Sequence, residues 1–303
     1  KADKTRGNMV NNGIINISEN NEQRANRVLV TLTDSDLTNN GTMGVYTGDV
    51  VSSGSGETTN TGKIQVLDKT AEELKDIDVS TLFGNKFSST GMLVDKDGNV
   101  ALDKDDIVIG NKDLTTEEVN KNDGAYLASG VTISGENPIN TQSLNIIGDV
   151  ITEGTVKIDG STVNIADNGF ISLGDSNTSS DLTISSAVVN GNSKEGSTDV
   201  VFENVASSLT LDNTTFNGVI GNAKDKGTLN SLGNSLVNGS INVDTINIGG
   251  TSKSRLDLAL NTKVNTNTIN INKDGQLGLV IDNQGNNALK GTSGITITGQ
   301  EGD

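Results

Sequence analysis

Residues 235–250 read SLVNGSINVDTINIGG. The apolar side chains come singly or in pairs: Leu236, Val237, Ile241, Val243, Ile246 and Ile248. Asn, Asp, Ser, Thr and Gly fill the spaces between them. No segment is long enough for an ordinary helix or an ordinary strand. A core made from such a stretch must be collected from many turns of chain.

The same pattern recurs. An apolar–Asn/Thr–apolar triplet stands at Leu144-Asn145-Ile146, Val163-Asn164-Ile165, Leu182-Thr183-Ile184 and Leu209-Thr210-Leu211. It returns at Ile246-Asn247-Ile248, Ile269-Asn270-Ile271 and Ile295-Thr296-Ile297, with an early copy at Ile15-Asn16-Ile17. From Leu144 onward the copies start 19, 19, 27, 37, 23 and 26 residues apart. The gap of 37 divides into 20 and 17 if Leu229-Asn230 is a degenerate copy. Each triplet reads as a short strand with two apolar side chains on one face and a polar one on the other. A turn of chain carrying about three such strands cannot bury its few apolar residues alone, whereas stacked turns share one continuous core. Asn and Gly suit the corners because both tolerate positive φ, and some Asn are expected to stack in ladders from coil to coil. The pattern predicts an all-β fold, a right-handed parallel β-helix. An antiparallel sandwich competes, but it wants longer strands, hairpins and aromatic core residues.

Composition narrows the functions. Only 32% of the 303 residues are hydrophobic. There is no Trp, and the rings are two Tyr and five Phe. Low hydrophobicity with high charge is a signature of disorder, but the periodic Val, Ile and Thr argue for order. The net charge of −17 leaves no basic patch for nucleic acid or an anionic membrane. No apolar run is long enough to span a bilayer, so the chain is not expected to be membrane-inserted. No signal peptide is visible, and the chain reads as a fragment of a longer, processed protein. Cys and His are both absent. That removes disulfides, His-ligated metals, Ser–His–Asp triads and imidazole acid–base chemistry. Gly174-Asp175-Ser176, which looks like a protease nucleophile stretch, therefore reads as a turn.

Three regions are expected: coils over 1–66, a charged insertion with two short helices over 67–128, and further coils over 129–303. In the first, Asn11-Asn12-Gly13 recurs as Asn39-Asn40-Gly41, and Val28-Leu29-Val30-Thr31-Leu32 is the longest strand candidate. In the insertion, Thr70 with Glu73 and Thr115 with Glu118 have the spacing of capping boxes. Between them lies DKDGNVALDKDDIVIG. Counted from Asp95 as an EF-hand, position six is Val100 rather than Gly and position twelve is Asp106 rather than Glu, so that match fails. A polar turn is the better reading, with an irregular calcium site as the alternative. Because function tends to sit on loops carried by a rigid scaffold, the candidate partner-binding residues are Asp95, Asp97, Asn99, Asp103, Asp105, Asp106 and Tyr126. No catalytic residue, cofactor or metal ligand is assigned.

The short triplets, NNGIINI at 11–17 and NNGTMGVYTGD at 39–49 resemble the passenger domains of type V (autotransporter) adhesins. The Asn-rich, acidic style is similar to the very large fusobacterial-type surface adhesins. The lack of Cys fits as well, since folding before export would block passage through an outer-membrane pore. The resemblance implies a monomeric, non-enzymatic fragment displayed on a bacterial surface, with its outer-membrane translocator downstream. Its partners would be a host cell-surface protein, a glycan or other bacteria. Two alternatives stand beside it: a purely structural stalk, and a β-helix enzyme that degrades polysaccharide.

Overall fold

A computed structural model describes residues 8–15, 27–28, 35–47, 49–50, 56–83, 86–192, 196–224, 226–250, 252–260, 262–279 and 296–299. Asn16, Ile17, Ile295 and residues 29–32 of the expected long strand lie outside the described residues. The chain is mostly strand and forms two compact units, Lys1–Asp106 and Ile107–Asp303. The boundary falls inside the 67–128 segment.

In the first unit, Met9–Asn11, Leu37–Asn39, Thr58–Asn60 and Phe87–Ser89 form one parallel ladder. Ile14–Ile15, Thr42–Val45, Lys63–Val66 and Met92–Val94 form a second. Leu37, Met43, Val45, Ile64 and Val66 make its core, closed over by Leu74, Leu82 and Phe83. Phe83 stacks on Phe87 with ring centroids 4.9 Å apart. Between each pair of strands the chain turns at the same place: Asn11-Asn12-Gly13, Asn39-Asn40-Gly41, Asn60-Thr61-Gly62 and Ser89-Thr90-Gly91. The amides of Gly41, Gly62 and Gly91 donate to the carbonyls of Asn11, Asn39 and Asn60. The corner motif seen twice in the sequence is therefore used four times.

Both capping boxes form. Thr70 caps the helix Ala71–Leu74 and Thr115 caps Thr116–Lys121, each exchanging hydrogen bonds with the Glu three residues on. A third short helix, Ser80–Phe83, follows Asp78, whose Oδ1 accepts from the Ser80 amide at 3.0 Å. The strands Phe87–Ser89 and Met92–Val94 in the first unit, and Lys112–Thr115 and Tyr126–Leu127 in the second, also lie within 67–128 and pair in register with strands outside it.

The second unit is a continuous parallel, solenoid-like arrangement with three apolar columns. One runs Val131, Val150, Ile171, Val200, Ile220, Ile241, Val264. A second runs Val156, Leu182, Leu209, Leu229, Ile246, Ile269. The third runs Leu144, Val163, Val189, Phe216, Val237, Leu258. All are buried, and together they make a single core. Leu229 pairs with both Leu209 and Ile246, so the copy that divides the long gap is in register.

The stretch 235–250 does hold an ordinary strand, Asn234–Asn242, nine residues long, because pairing continues through Gly239 where the apolar spacing suggests a break, and Asp149–Asp159 runs to eleven. Two further features differ from the sequence reading. First, the triplets are not one series. Leu144 and Val163 belong to one column and Leu182 onward to another; Val163 pairs with Val189, not with Leu182. The triplets all carry the same alternation, which fixes the faces but not the ladder. Second, the polar residue of a triplet does not always meet solvent. Asn145 and Asn164 are fully buried, as is Asn190, which ends the strand Val188–Asn190 outside the triplets. The Asn164 Nδ2 donates to the Asn145 Oδ1 at 2.9 Å, and the Asn190 Nδ2 to the Asn164 Oδ1 at 3.0 Å. The two bonds pair donors with acceptors inside the column, which offsets the cost of burial, and leave the Asn190 Oδ1 at its end as a buried acceptor with no hydrogen bond among the described residues. In the second apolar column's strands, the equivalent row of Asn230, Asn247 and Asn270 is hydrogen-bonded in the same way but only half-buried.

Candidate functional site

Asp95 follows the strand Met92–Val94 and is 2% exposed. Its carboxylate accepts from the amides of Asp97 and Asn99 at 2.8 Å, from the Asn99 side chain at 3.1 Å and from the Ala71 amide at 3.0 Å. The Ala71 amide opens a helix and has no partner within it. Asp95 thus closes its own turn and holds a helix end. Burial pushes its pKa up. The hydrogen bonds from Asn99, Asp97 and Ala71 together outweigh that and hold it below the ordinary carboxylate range. Its oxygens are directed at the protein.

The other candidates scatter. Asp97 is exposed and ion-pairs with its neighbour Lys96. Asn99 belongs to the Asp95 turn. Asp103 and Asp106 share a second turn, in which the Asp103 amide donates to the Asp106 Oδ2 at 2.7 Å. Asp105 is exposed. Tyr126 sits in the second unit, in the strand Tyr126–Leu127, and is only 6% exposed. Among the described residues no three Asp or Glu side chains are gathered so as to hold a metal ion. No helix among them is long and apolar enough to cross a membrane. The Gly174-Asp175-Ser176 stretch is a turn in which the Asp175 Oδ1 accepts from the amides of Asn177 and Thr178 at 2.7 Å. Those bonds hold the Asp175 pKa down.

A concave site lies elsewhere, on the second unit. Asn234, Lys253, Ser254, Arg255, Asp274, Gly275 and Gln276 line a cleft of about 370 Å³. Asn234 pairs in register with Arg255, and Arg255 with Gln276, so the three stand in a row across successive coils. The Arg255 Nε donates to the Asp257 Oδ1 at 2.8 Å, and its Nη2 lies 2.8 Å from the same carboxylate. That pairing holds the guanidinium pKa above its usual value. Nothing in the local sequence marks the cleft; its signal is the spacing of Asn234, Arg255 and Gln276, which recur every 21 residues. No family model, curated protein or solved structure matches the chain.

Proposed function

We propose that this chain is part of a surface-displayed bacterial adhesin passenger. In this reading it is built of right-handed parallel β-helix coils, with the short helices of the 67–128 segment as excursions from them, and it binds a host cell or another bacterium without doing chemistry. The observation that carries the proposal is the long in-register parallel ladder of the second unit, with a continuous apolar column inside and polar side chains outside. Such a scaffold presents fixed rows of polar groups at the strand spacing of roughly 4.8 Å, a geometry suited to recognition. The right hand follows the strong preference of parallel crossovers. Asp95, the most buried of the candidate acids, spends its oxygens on backbone amides and the Asn99 side chain, which speaks against the polysaccharide-cleaving alternative.

The test is binding of the labelled 303-residue chain to epithelial cells, immune cells and other bacteria, with free sugars as competitors. Saturable binding is expected. A chain that binds none of these surfaces at micromolar concentration is a stalk, and the adhesive reading falls.

A further inference from the structure

We propose that the cleft spanned by Asn234, Arg255 and Gln276 binds a neutral, polyhydroxylated disaccharide. The inference rests on the adhesive reading above and gives it a location and a ligand chemistry.

The dimensions come first. Asn234, Arg255 and Gln276 occupy matching positions on three neighbouring strands. Two strand spacings are roughly 10 Å, the length of two linked pyranose rings. The row therefore offers one polar contact to each ring and one to the linkage between them.

The second argument is the mixture of donors and acceptors. A sugar hydroxyl donates one hydrogen bond and accepts others. In the cleft, Arg255 and Lys253 only donate, the Asp274 carboxylate only accepts, and the amides of Asn234 and Gln276 do both. Lys253 and the side chains of Asn234 and Gln276 have no hydrogen-bond or ion-pair partner among the described residues. An apolar ligand would strand these groups. A polyanion would meet Asp274 and the −17 charge of the chain.

The third argument is that the guanidinium is held in place. Arg255 uses its Nε and Nη2 on Asp257, which fixes the plane of the fork and leaves three N–H groups for a ligand. Gly278 makes this possible. It lies opposite Asp257 on the next strand, and a Cβ there would come 1.8 Å from the Asp257 Oδ1 and 2.6 Å from the Arg255 Nη2. The ion pair lies over the glycine because there is no side chain to displace it. No ring lines the cleft, so hydrogen bonds carry recognition and each site is weak. Many displayed copies would supply avidity.

The experiment is saturation-transfer NMR on the full chain with lactose, cellobiose, mannobiose and chitobiose, and with sialyllactose as the anionic comparison. At least one neutral disaccharide should give a saturable signal. Arg255→Ala and Gln276→Ala should each weaken it roughly ten-fold, the loss of one charge-assisted or bidentate contact. Arg255→Lys, which keeps the charge but not the fork, should weaken it while leaving the melting curve unchanged. Gly278→Ala, outside the lining, should weaken it by displacing the ion pair. Lys157→Ala, on a different strand, should have no effect. The proposal is overturned if no neutral disaccharide gives a signal, if only sialyllactose does, or if Arg255→Ala and Arg255→Lys both bind as well as the natural chain. Cell binding that no disaccharide competes for and that Arg255→Ala leaves intact would remove the cleft but keep the adhesive reading. Disaccharide binding without cell binding would do the reverse.

Discussion

The Asn39 Nδ2 donates to the Asn60 Oδ1 across 2.7 Å, and both side chains are buried. Asn39 in turn accepts from the Asn11 Nδ2 at 2.7 Å, and Asn60 donates to the Ser89 Oγ at 2.9 Å. Truncating the middle of this chain leaves a donor and an acceptor unmatched in the interior. Asn39→Ala is therefore expected to destabilise the first unit by about 2–4 kcal/mol, read from the midpoint of urea unfolding. The half-buried Asn247 is the control: there, water replaces the lost partner, and Asn247→Ala should cost under about 1 kcal/mol.

Beside the amide column runs a glycine column. A Cβ on Gly62 would come 2.1 Å from the Gly41 carbonyl oxygen, and one on Gly91 equally close to the Gly62 carbonyl. The corners stack this closely because the third position of each has no side chain. Gly62→Ala must push two coils apart and break the hydrogen bonds that the Gly62 amide donates to the Asn39 carbonyl and the Lys63 amide to the Gly41 carbonyl. A loss of about 2–3 kcal/mol is expected, at the upper end of overpacking costs. A melting temperature unchanged from the natural chain would contradict the stacking.

Ile246 is 1% exposed and lies between Leu229 and Ile269 in the second unit's column. Ile246→Ala opens a cavity that the neighbouring coils cannot fill, since their backbones are tied by ladder hydrogen bonds. The expected cost is about 3–4 kcal/mol. Thermal unfolding followed by circular dichroism, with a β-rich starting spectrum, would measure it.

Acid should unfold the protein from particular sites. Asp95, Asp159, Asp175 and Glu118 all have carboxyls held below their ordinary values. For Asp159 the main cause is the Ser185 hydroxyl, for Asp175 the Asn177 amide, and for Glu118 the Thr115 amide. A lowered folded-state pKa contributes stability that is fully present above the unfolded-state value and is lost as pH falls through the folded-state value. The melting temperature should thus hold between neutral pH and about pH 5, then drop below about pH 4. Asp95→Asn should lower it at neutral pH and converge on the natural chain in acid. A constant difference between the two at all pH values would show that Asp95 does not act as a carboxylate.

Much of the architecture can be read in the residues. Apolar–polar alternation in triplets marks the short strands, and Thr70 with Glu73 and Thr115 with Glu118 mark two helix starts, because both signals are local. The helix at Ser80–Phe83 is harder to see, since its start rests on Asp78 alone. The acidic run from Asp95 to Asp106 looks like a site because carboxylates cluster in sequence. In space Asp95 turns inward onto Ala71, whereas Asp97 and Asp105 are exposed. The cleft at Arg255 has the opposite character: its members are far apart in sequence and come together only when coils stack.

The sequence by itself determined that this chain is built of strands with sparse apolar faces, that its corners are Asn- and Gly-rich, and that histidine and cysteine are absent; it did not show that Asp149–Asp159 and Asn234–Asn242 run on as strands of eleven and nine residues. What it did determine follows from side-chain size, backbone freedom and composition, which do not depend on neighbours. Only the tertiary structure decided which triplet stacks on which, since Val163 and Leu182 carry the same local pattern yet occupy different columns. It also decided that Asn145 is buried while Asn247 is half-buried, and that Asn234, Arg255 and Gln276 share one row. Register is a cooperative choice among near-equivalent strands, and it is made by the length of each connecting loop and the fit of the whole column.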